Sequence, residues 1–443
     1  MGSGFGPAVR PGMTIGCAEL PRVGGGEPPQ RRSGLVRPGI GAISTTSMPI
    51  LFLIVFVDLV GFGLVIPLLP YYAARFSASP LQMTMLFATY SLVSMATAPF
   101  WGRLSDRVGR RPVLLASMGA AALAYGWLGI ASRLWMVFAA RAFAGACAGN
   151  IAAAQAYIAD VTPPEKRARG MGMIGAAFGL GFIIGPVIGG VVAGDNVATA
   201  DLMTPGFIAA GLSLCACLGV LLFLPESLQR RTEPLGPRRG RVAALREALA
   251  RPLLARLLLM FFLVILAFSG METTFAWWAI AQFGWGPRAI GFVFFYVGLL
   301  SALMQGGLIG RLAPRFGEER LLLCGLVLLA IGLLLLPFAR GLPLLLTAMS
   351  ALAFGMGLMQ PSLNSLISRR AGAAEQGEVM GVAQSVGSLS RVLGPLAAGA
   401  LFTAFGRASP YFWGAALVVA ALSIGWRLPR LLAAPAAPAG PAK

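Results

Sequence analysis

The sequence predicts an all-α membrane protein in which twelve transmembrane helices form two pseudo-symmetric six-helix halves. Of its 443 residues, 57% are hydrophobic and 12% are charged, whereas a soluble domain has about 25% charged residues. The hydrophobic residues form unbroken runs of about 20, the length that a helix needs to cross a bilayer, without the alternation of membrane β-strands. A basic segment at 102–112 recurs in altered form at 310–320, and the pair Gly185-Pro186 recurs at 394–395. These repeats indicate that the second half duplicates the first.

Twelve apolar runs, six on each side of a polar gap, define the predicted spans in order. They are 49–70, 81–101, 113–131, 134–157, 170–194, 204–224, 255–283, 287–310, 320–338, 342–366, 376–404 and 409–428. The gap at 225–254 contains seven arginines. We predict that it is a cytoplasmic linker between halves at 48–224 and 255–428.

Two terminal segments lie outside the spans. Residues 1–47 are rich in Gly, Pro and Arg and contain no long apolar run, which predicts a disordered tail. Residues 429–443 are predicted to form a second disordered tail. Met48 directly precedes the first apolar run and is an alternative start, so residues 1–47 are a candidate non-native extension.

Basic residues are concentrated in alternate loops. The loops on the side of the linker, 102–112, 158–169, 311–320 and 367–375, each contain two or more basic residues, whereas every loop on the other side has at most one. We therefore expect the linker and both termini to be cytoplasmic, in a bacterial-type inner (plasma) membrane. The net charge of +19 then faces the anionic cytoplasmic leaflet of the lipid bilayer. No nucleic acid partner is predicted, because the arginines lie in short loops and form no continuous basic face.

The loop between the second and third spans contains glycines, arginines and one acid, and docking of that acid across the interface would make the loop a gate latch. Its glycines permit tight turns, and its arginines are expected to anchor to anionic headgroups. Asp106 is the exception in this basic loop: it either caps the next helix or docks on the positive end of the eleventh span across the interface. The predicted gating residues are Gly102, Asp106, Arg107, Gly109, Arg110 and Arg111.

Four ionisable side chains lie well inside the predicted spans: Asp58, Arg141, Glu272 and Arg391. A charge at the centre of a bilayer costs roughly 2.5–3.5 kcal/mol. Each half has one acid and one arginine, and we expect Asp58 to face Arg141 and Glu272 to lie near Arg391. These are either structural ion pairs or proton-coupling sites, in which desolvation and the arginine together set when the carboxylate holds a proton. Asp58 is the first candidate for the proton carrier, and Glu272 is the second, or a contact for a cationic or zwitterionic substrate.

Two spans contain glycines at intervals of four residues. In the fourth span, Gly145 and Gly149 follow Arg141 at this spacing, so a neighbouring backbone can approach closely and leave room for the arginine. In the fifth span the pattern comprises Gly181, Gly185, Pro186 and Gly189. A proline removes one backbone hydrogen bond, so we expect this helix to bend and to pack tightly against the other half; ordinary small-residue packing is the alternative.

Polar and aromatic residues inside the spans are candidates to line a substrate cavity. The candidates are Tyr90, Asn150, Gln155, Trp277, Gln305, Gln360 and Asn364. No metal site or cofactor is predicted, because the chain has no histidine and its five cysteines lack metal-ligand spacing. No nucleophile–base set and no ATP-binding loop ending Gly-Lys-Ser/Thr is present, so an enzyme is not predicted.

Residues 48–428 resemble the major facilitator superfamily, and more closely its twelve-helix drug/proton antiporters, which include the tetracycline efflux proteins. Four motifs support the resemblance: GRLSDRVGRRP at 102–112, DLVGFGLVIPLLP at 58–70, RAFAGACAGNIAA at 141–153 and GLGFIIGPVIGG at 179–190. They match the superfamily loop signature, the first span of the tetracycline group, the proton-coupling motif of the fourth span and the antiport motif of the fifth.

The resemblance implies a rocker-switch mechanism, in which the two halves tilt around a central site. Asp58 and Arg141 would then serve proton coupling. The tetracycline proteins have a functional histidine in the eighth span, where this chain has Ser301, and an acidic residue in the ninth, which here falls near Leu329. The resemblance therefore does not extend to these two residues, and tetracycline is not implied as the substrate.

Three functions are compatible with these features. The first is a proton-coupled transporter that exports amphipathic drugs or metabolites from the cytoplasm by alternating access. The alternatives are a proton-coupled uptake symporter for a small nutrient and a non-transporting membrane sensor. Small-molecule substrate and protons are the predicted partners, and a monomer suffices because one chain contains a whole pathway.

Overall fold

The computed structural model describes residues 43–162, 167–228, 241–371 and 375–426. Within these ranges the chain forms helices joined by short turns and contains no β-strand. The α-helices are α1 (Ile43–Val65), α2 (Leu69–Arg75), α3 (Pro80–Val108), α4 (Arg110–Gly129), α5 (Leu134–Ala146), α6 (Asn150–Val161), α7 (Arg167–Ala193), α8 (Met203–Phe223), α9 (Arg241–Ala250), α10 (Pro252–Phe283), α11 (Pro287–Leu303), α12 (Ile309–Phe316), α13 (Glu318–Leu335), α14 (Leu342–Arg370), α15 (Gln376–Phe405) and α16 (Ser409–Gly425).

Most of these helices are long enough to span a membrane. In the described part of the chain, 11 helical stretches are both long and apolar enough to cross, and Ser409–Gly425 is a shorter apolar helix. They follow the twelve predicted spans in order, which confirms the predicted fold class. Three spans consist of two helices each: α1 with α2, α5 with α6, and α11 with α12. A 3-10 turn (Ile66–Leu68) joins the first pair, and a π-helix (Met304–Leu308) joins the third.

The predicted boundaries need two amendments. Helix α1 begins at Ile43, inside the segment predicted to be a disordered tail, and the predicted linker contains the helix α9. The rest of the two predicted tails lies outside the described residues. The division into halves at 48–224 and 255–428 stays a prediction.

The glycine stripe of α7 packs within its own half. A Cβ atom added to Gly181, Gly185 or Gly189 would lie 2.6–2.9 Å from backbone atoms of Leu59, Gly63 or Leu64 in α1. Helix α7 does pack against α11 of the predicted second half, but through Pro186 and Gly190, which meet Gly291 and Pro287. The prediction is therefore wrong only for the face that holds the three glycines. The reason is geometric: residues spaced by four share one helix face, and α1 occupies that face.

The repeat of this motif makes the same contact in the second half. A Cβ atom on Gly394 of α15 would lie 2.6 Å from the carbonyl oxygen of Leu266 in α10. Gly394 follows Gly185 by 209 residues, and α10 is the first span of its half, as α1 is of its own. The repeated dipeptide thus has the same packing role in both halves.

Gly185→Ala is expected to lower stability by about 1–3 kcal/mol, the usual cost of overpacking a tight contact. The added methyl group would meet the backbone of Gly63 and Leu64 at 2.7 Å, which cannot move aside like a side chain. The matched control is Gly179→Ala in the same helix, where an added Cβ meets no described atom within 4 Å. Thermal unfolding followed by size-exclusion fluorescence should separate the two variants. Equal melting temperatures would contradict the prediction.

The two halves touch at one end of the bundle. We call the end where α3 is followed by α4 the linker side, because α9 leads into α10 there, and the other end the opposite side. Near the opposite side, a Cβ on Gly190 of α7 would lie 2.6 Å from the Pro287 carbonyl oxygen at the start of α11, and nearer the middle of both spans a Cβ on Gly298 would lie 2.7 Å from Ile183. The Tyr71 hydroxyl also donates to the Trp285 carbonyl oxygen at 3.0 Å.

The same helices diverge towards the linker side. Gly172, Gly175 and Gly179 continue the face of α7 that holds Ile183 and Gly190, at intervals of three to four residues. A Cβ added to any of these three glycines meets no described atom within 4 Å. Helices α7 and α11 are therefore in contact near the opposite side and separate near the linker side.

A second pair of helices repeats this arrangement. Gly399 near the end of α15 contacts Leu81 and Thr84 at the start of α3, whereas Gly102 and Gly381, towards the linker side, have open space beside them within the described structure. Two independent helix pairs thus diverge in one direction. The gap within each of these two helix pairs therefore widens towards the linker side.

Candidate functional site

Asp58 lies in α1 and is held by two neutral donors. The Nδ2 group of Asn150 donates to one carboxylate oxygen, and the Ser213 hydroxyl donates to the other at 2.9 Å. The side chain is buried, with 4% of its surface exposed. Asn150 is the first residue of α6, and Ser213 lies in α8. Three helices of the first half therefore converge on this carboxylate.

Arg141 is not the ion-pair partner of Asp58. Its guanidinium lies over the ring of Tyr90, 4.4 Å from the centroid, in the cation–π geometry. Only 3% of Arg141 is exposed, and its Nε group has no hydrogen-bond partner among the described residues. The expected pairing of Asp58 with Arg141 is thus wrong.

The break between α5 and α6 explains why Asp58 is bonded to Asn150 and not to Arg141. Helix α5 ends at Ala146 and α6 starts at Asn150, so Asn150 rather than Arg141 reaches Asp58. Gly145 lets α3 approach closely, because its missing Cβ would lie 2.6 Å from the Tyr90 carbonyl oxygen. Since Arg141 lies one helical turn before Gly145, it meets the Tyr90 ring.

Two tyrosines lie within electrostatic range of both Asp58 and Arg141. Tyr90 interacts electrostatically with Asp58 and Arg141 of its own half and with Arg391 of the other half. Tyr125 interacts with Asp58, Tyr90 and Arg141. Neither Tyr125 nor Ser213 was among the residues predicted from the sequence, because a lone tyrosine or serine in an apolar run has no distinguishing pattern.

The acid and the arginine of the second half form a looser arrangement. Glu272 of α10 interacts electrostatically with Arg391 of α15. Neither side chain has a hydrogen bond or an ion pair with another described residue. Glu272 is half-buried and Arg391 is exposed, although both lie far from the ends of their helices.

The other cavity candidates are distributed over several surroundings. Trp277 packs against the main hydrophobic cluster. Gln155 and Gln305 are exposed, and Gln360 and Asn364 are half-buried. Of the seven predicted cavity residues, the contacts assign Tyr90 and Asn150 to the charged cluster around Asp58.

The gating loop is organised by Arg110, which is buried. Its guanidinium donates to Asp160 at 2.9 Å, to Asp106 at 2.7 Å and to the Ser105 hydroxyl at 3.1 Å. The expectation that Arg110 contacts lipid headgroups is therefore wrong, whereas Arg107 is exposed. Arg110 thereby ties the end of α3 to the end of α6.

The N-terminus of α4 is capped by Glu226 rather than by Asp106. The carboxylate of Glu226 accepts from the backbone N–H groups of Arg110 at 2.9 Å and Arg111 at 3.1 Å. Gly109 has a φ angle of 111°, and a Cβ there would collide with this carboxylate. The predicted cap by Asp106 is wrong, because Asp106 is turned towards Arg110 and Glu226 arrives from the end of α8.

The second half has the same ion pair with its charges exchanged. Arg369 of α14 donates to Glu318 at 3.0 Å, and Glu318 also accepts from the Ser365 hydroxyl at 2.7 Å. In the repeat, Glu318 follows Arg110 by 208 residues and Arg369 follows Asp160 by 209. The altered copy of the loop therefore conserves the bridge between corresponding helices, although its signs are reversed.

Arg110→Glu is expected to lower stability by roughly 2 kcal/mol, because it places a third acid beside Asp106 and Asp160. The value is below that of a fully buried pair, since the two aspartates are 24% and 28% exposed. Adding Asp160→Arg should recover much of the loss by recreating the orientation found in the second half. Melting temperatures of the single and double variants test this, and a double variant less stable than the single one would refute it.

Known proteins match most of this chain in sequence and in fold. A family model described as Major Facilitator Superfamily matches residues 51–395 and 274–442. The tetracycline resistance protein, class C, of Escherichia coli is 34% identical over 352 residues, which cover 78% of this chain and 87% of that protein.

Solved structures share the fold. The human organic anion transporter MFSD10 (TETRAN) aligns with a TM-score of 0.65 and 27% identity, over 88% of this chain and 100% of that one. A bacterial homologue of the human lysosomal transporter Spinster, solved inward-facing and unoccupied, aligns with a TM-score of 0.70 and 16% identity, over 90% and 99% of the chains. The chain, which resembles the tetracycline resistance proteins, therefore belongs to the Major Facilitator Superfamily, a family of membrane transporters and not of enzymes.

Proposed function

We propose that this protein is a proton-coupled transporter that exports small amphipathic molecules from the cytoplasm by alternating access. The observation that supports this most strongly is Asp58, a buried carboxylate that has two neutral donors and no ion-pair partner among the described residues. A structural ion pair would need a cation at this position, and Arg141 lies on Tyr90 instead.

The surroundings of Asp58 suit both of its protonation states. When the carboxylate is ionised, the Ser213 hydroxyl donates to it; when the carboxyl is protonated, the same hydroxyl can rotate and accept. Arg141 has no bond to the carboxylate that protonation must break; it lies over Tyr90, one of two tyrosines within electrostatic range of both groups. Asp58 is therefore the proton carrier in this proposal.

The divergence of the helices supports loading from the cytoplasm. Two helix pairs diverge on the linker side, whose loops contain most of the positive charge, and such loops face the cytoplasm. A substrate would thus enter from the inner leaflet side of a bacterial-type plasma membrane. Relatives named for tetracycline resistance and for organic anion transport support small organic molecules as the substrate class.

Everted membrane vesicles test the proposal. Respiration acidifies their interior, and an acridine dye reports protons that leave as each compound of a panel of tetracyclines, organic cations, zwitterions and organic anions is added. We expect at least one compound to release protons only when the protein is present. Proton uptake together with a compound would instead favour a symporter, and no response to any compound would favour a non-transporting sensor.

A further inference from the structure

We infer that Glu272 and Arg391 together bind a zwitterionic substrate, with its cationic group on Glu272 and its anionic group on Arg391. This inference rests on the proposed function and specifies its substrate class. It also gives the two acids different tasks, because Asp58 has two hydrogen-bond partners whereas Glu272 has none among the described residues.

Both charged groups are available to a ligand. Neither Glu272 nor Arg391 makes a hydrogen bond or an ion pair with another described residue, although the two interact electrostatically. Glu272 lies 11 residues before the end of the 32-residue α10, and Arg391 lies near the middle of the 30-residue α15. Charged side chains at such depth face the bundle interior or a water-filled cavity. Glu272 and Arg391 are thus opposite charges at membrane depth that a ligand can contact.

The register of α10 and α15 gives the separation of these charges. The Ser390 hydroxyl donates to the Phe262 carbonyl oxygen at 3.1 Å, a sequence separation of 128 residues. The contact between Gly394 and Leu266 has the same separation. The two helices therefore run in the same direction with a constant offset.

This offset places Glu272 level with residue 400 of α15, nine residues beyond Arg391. At 1.5 Å per residue, the two backbone positions differ in height by about 13 Å. The side chains shorten this gap but form no direct ion pair within 4.0 Å in the described structure. A ligand with an amine and a carboxylate at the two ends of a flexible segment fits this distance, whereas one with both groups on a single carbon is too short.

The first half contributes an aromatic wall near these charges. Phe62 lies 5.6 Å from Tyr90 and 6.0 Å from Phe182, between ring centroids, and Phe178 lies 6.5 Å from Phe182. All four rings are half-buried, and Tyr90 interacts electrostatically with Arg391. The apolar body of an aromatic zwitterion would pack against these rings.

Three fluorescent probes with one scaffold test the inference on purified protein in detergent. Nα-dansyl-lysine has a carboxylate and a terminal amine, dansylcadaverine lacks the carboxylate, and dansylnorleucine lacks the amine. We expect wild-type protein to bind Nα-dansyl-lysine about tenfold more tightly than either of the others, since each of the other two probes lacks one charge-assisted contact. Equal affinity for all three probes, or no binding of Nα-dansyl-lysine, would overturn the inference.

Two substitutions assign the contacts. Glu272→Gln should abolish the preference for Nα-dansyl-lysine over dansylnorleucine, and Arg391→Gln should abolish its preference over dansylcadaverine. Arg340→Gln, in an exposed loop of the opposite side, is the charge-matched control and should leave both preferences intact. If a glutamine variant does not fold, Glu272→Asp and Arg391→Lys replace it, and they should weaken the same preferences in part. Preferences that survive in every variant would overturn the assignment.

This assay is independent of proton coupling, because it uses no gradient. Selective binding of the zwitterion without proton release in vesicles would retain the site and refute the export proposal. Proton release by substrates that show no such selectivity would retain the export proposal and refute the site.

Discussion

Asp58→Asn is expected to abolish substrate-driven proton release while leaving the protein folded. Asparagine has nearly the shape of aspartate but cannot release a proton at any physiological pH. Its amide can still bond with Asn150 and Ser213, the two partners of the carboxylate. Alternation between the two open states should persist, so the variant becomes an uncoupled exchanger.

Two assays separate loss of coupling from loss of transport. In everted vesicles, proton release by any active compound should fall to the level of vesicles without the protein. In proteoliposomes, exchange of labelled for unlabelled compound should continue at a rate within about threefold of wild type, a barrier change below 1 kcal/mol. Glu247→Gln, in helix α9, where the side chain is 42% exposed and pairs with Arg251, is the matched control and should retain proton release. Undiminished release by Asp58→Asn would exclude Asp58 as the carrier and direct attention to Glu272.

A disulfide between Ile183→Cys and Gly298→Cys is expected to stop transport. A Cβ atom on Gly298 would lie 3.5 Å from the Ile183 Cβ, within the range that disulfides require. The bond would join α7 to α11 near the middle of both spans, where their contact towards the opposite side begins. Since the cavity must open there to release substrate, the oxidised protein should lose transport and regain it after reduction.

This experiment needs a background without the five native cysteines. The single variants Ile183→Cys and Gly298→Cys should transport with or without oxidant. A second pair, Gly175→Cys with Gln305→Cys, lies on the diverging part of α7 and at the π-helical turn after α11. That pair should resist cross-linking in the state described here. If the first pair forms its disulfide and transport continues, the two halves do not separate at this contact.

Around Asp58, the charged residues could be predicted from the sequence, but their contacts could not. Sequence analysis identified Asp58 and Arg141, because a charge within an apolar run has a high cost and therefore a role. It paired them, since opposite charges in one half are the simplest compensation. The interrupted fourth span changes the outcome: α6 starts at Asn150, which takes the place expected for Arg141. A short helix break has no strong sequence signal in an apolar run.

For the gating loop, too, the motif could be predicted from the sequence but its contacts could not. Its glycines and arginines are visible as a repeated motif, but its partners Asp160 and Glu226 lie far away in the chain. The exchanged ion pair of Glu318 with Arg369 is recognisable only when the two halves are compared in space. This comparison explains why the altered copy of the loop has Glu318 in place of an arginine, because the ion pair is kept if both of its charges are reversed together.

The sequence by itself determined the all-helical membrane fold, the order of the spans, the duplication and the four charges within the spans. These properties depend on length, apolar composition and local spacing, which every helix records in its own residues. Tertiary structure decided which side chains meet: Asp58 with Asn150 and Ser213, Arg141 with Tyr90, and the glycine stripe of α7 with α1. It also decided that α7 and α11, and α3 and α15, diverge towards the linker side. Such choices depend on which faces of distant helices come together, and that follows from the packing of the whole bundle.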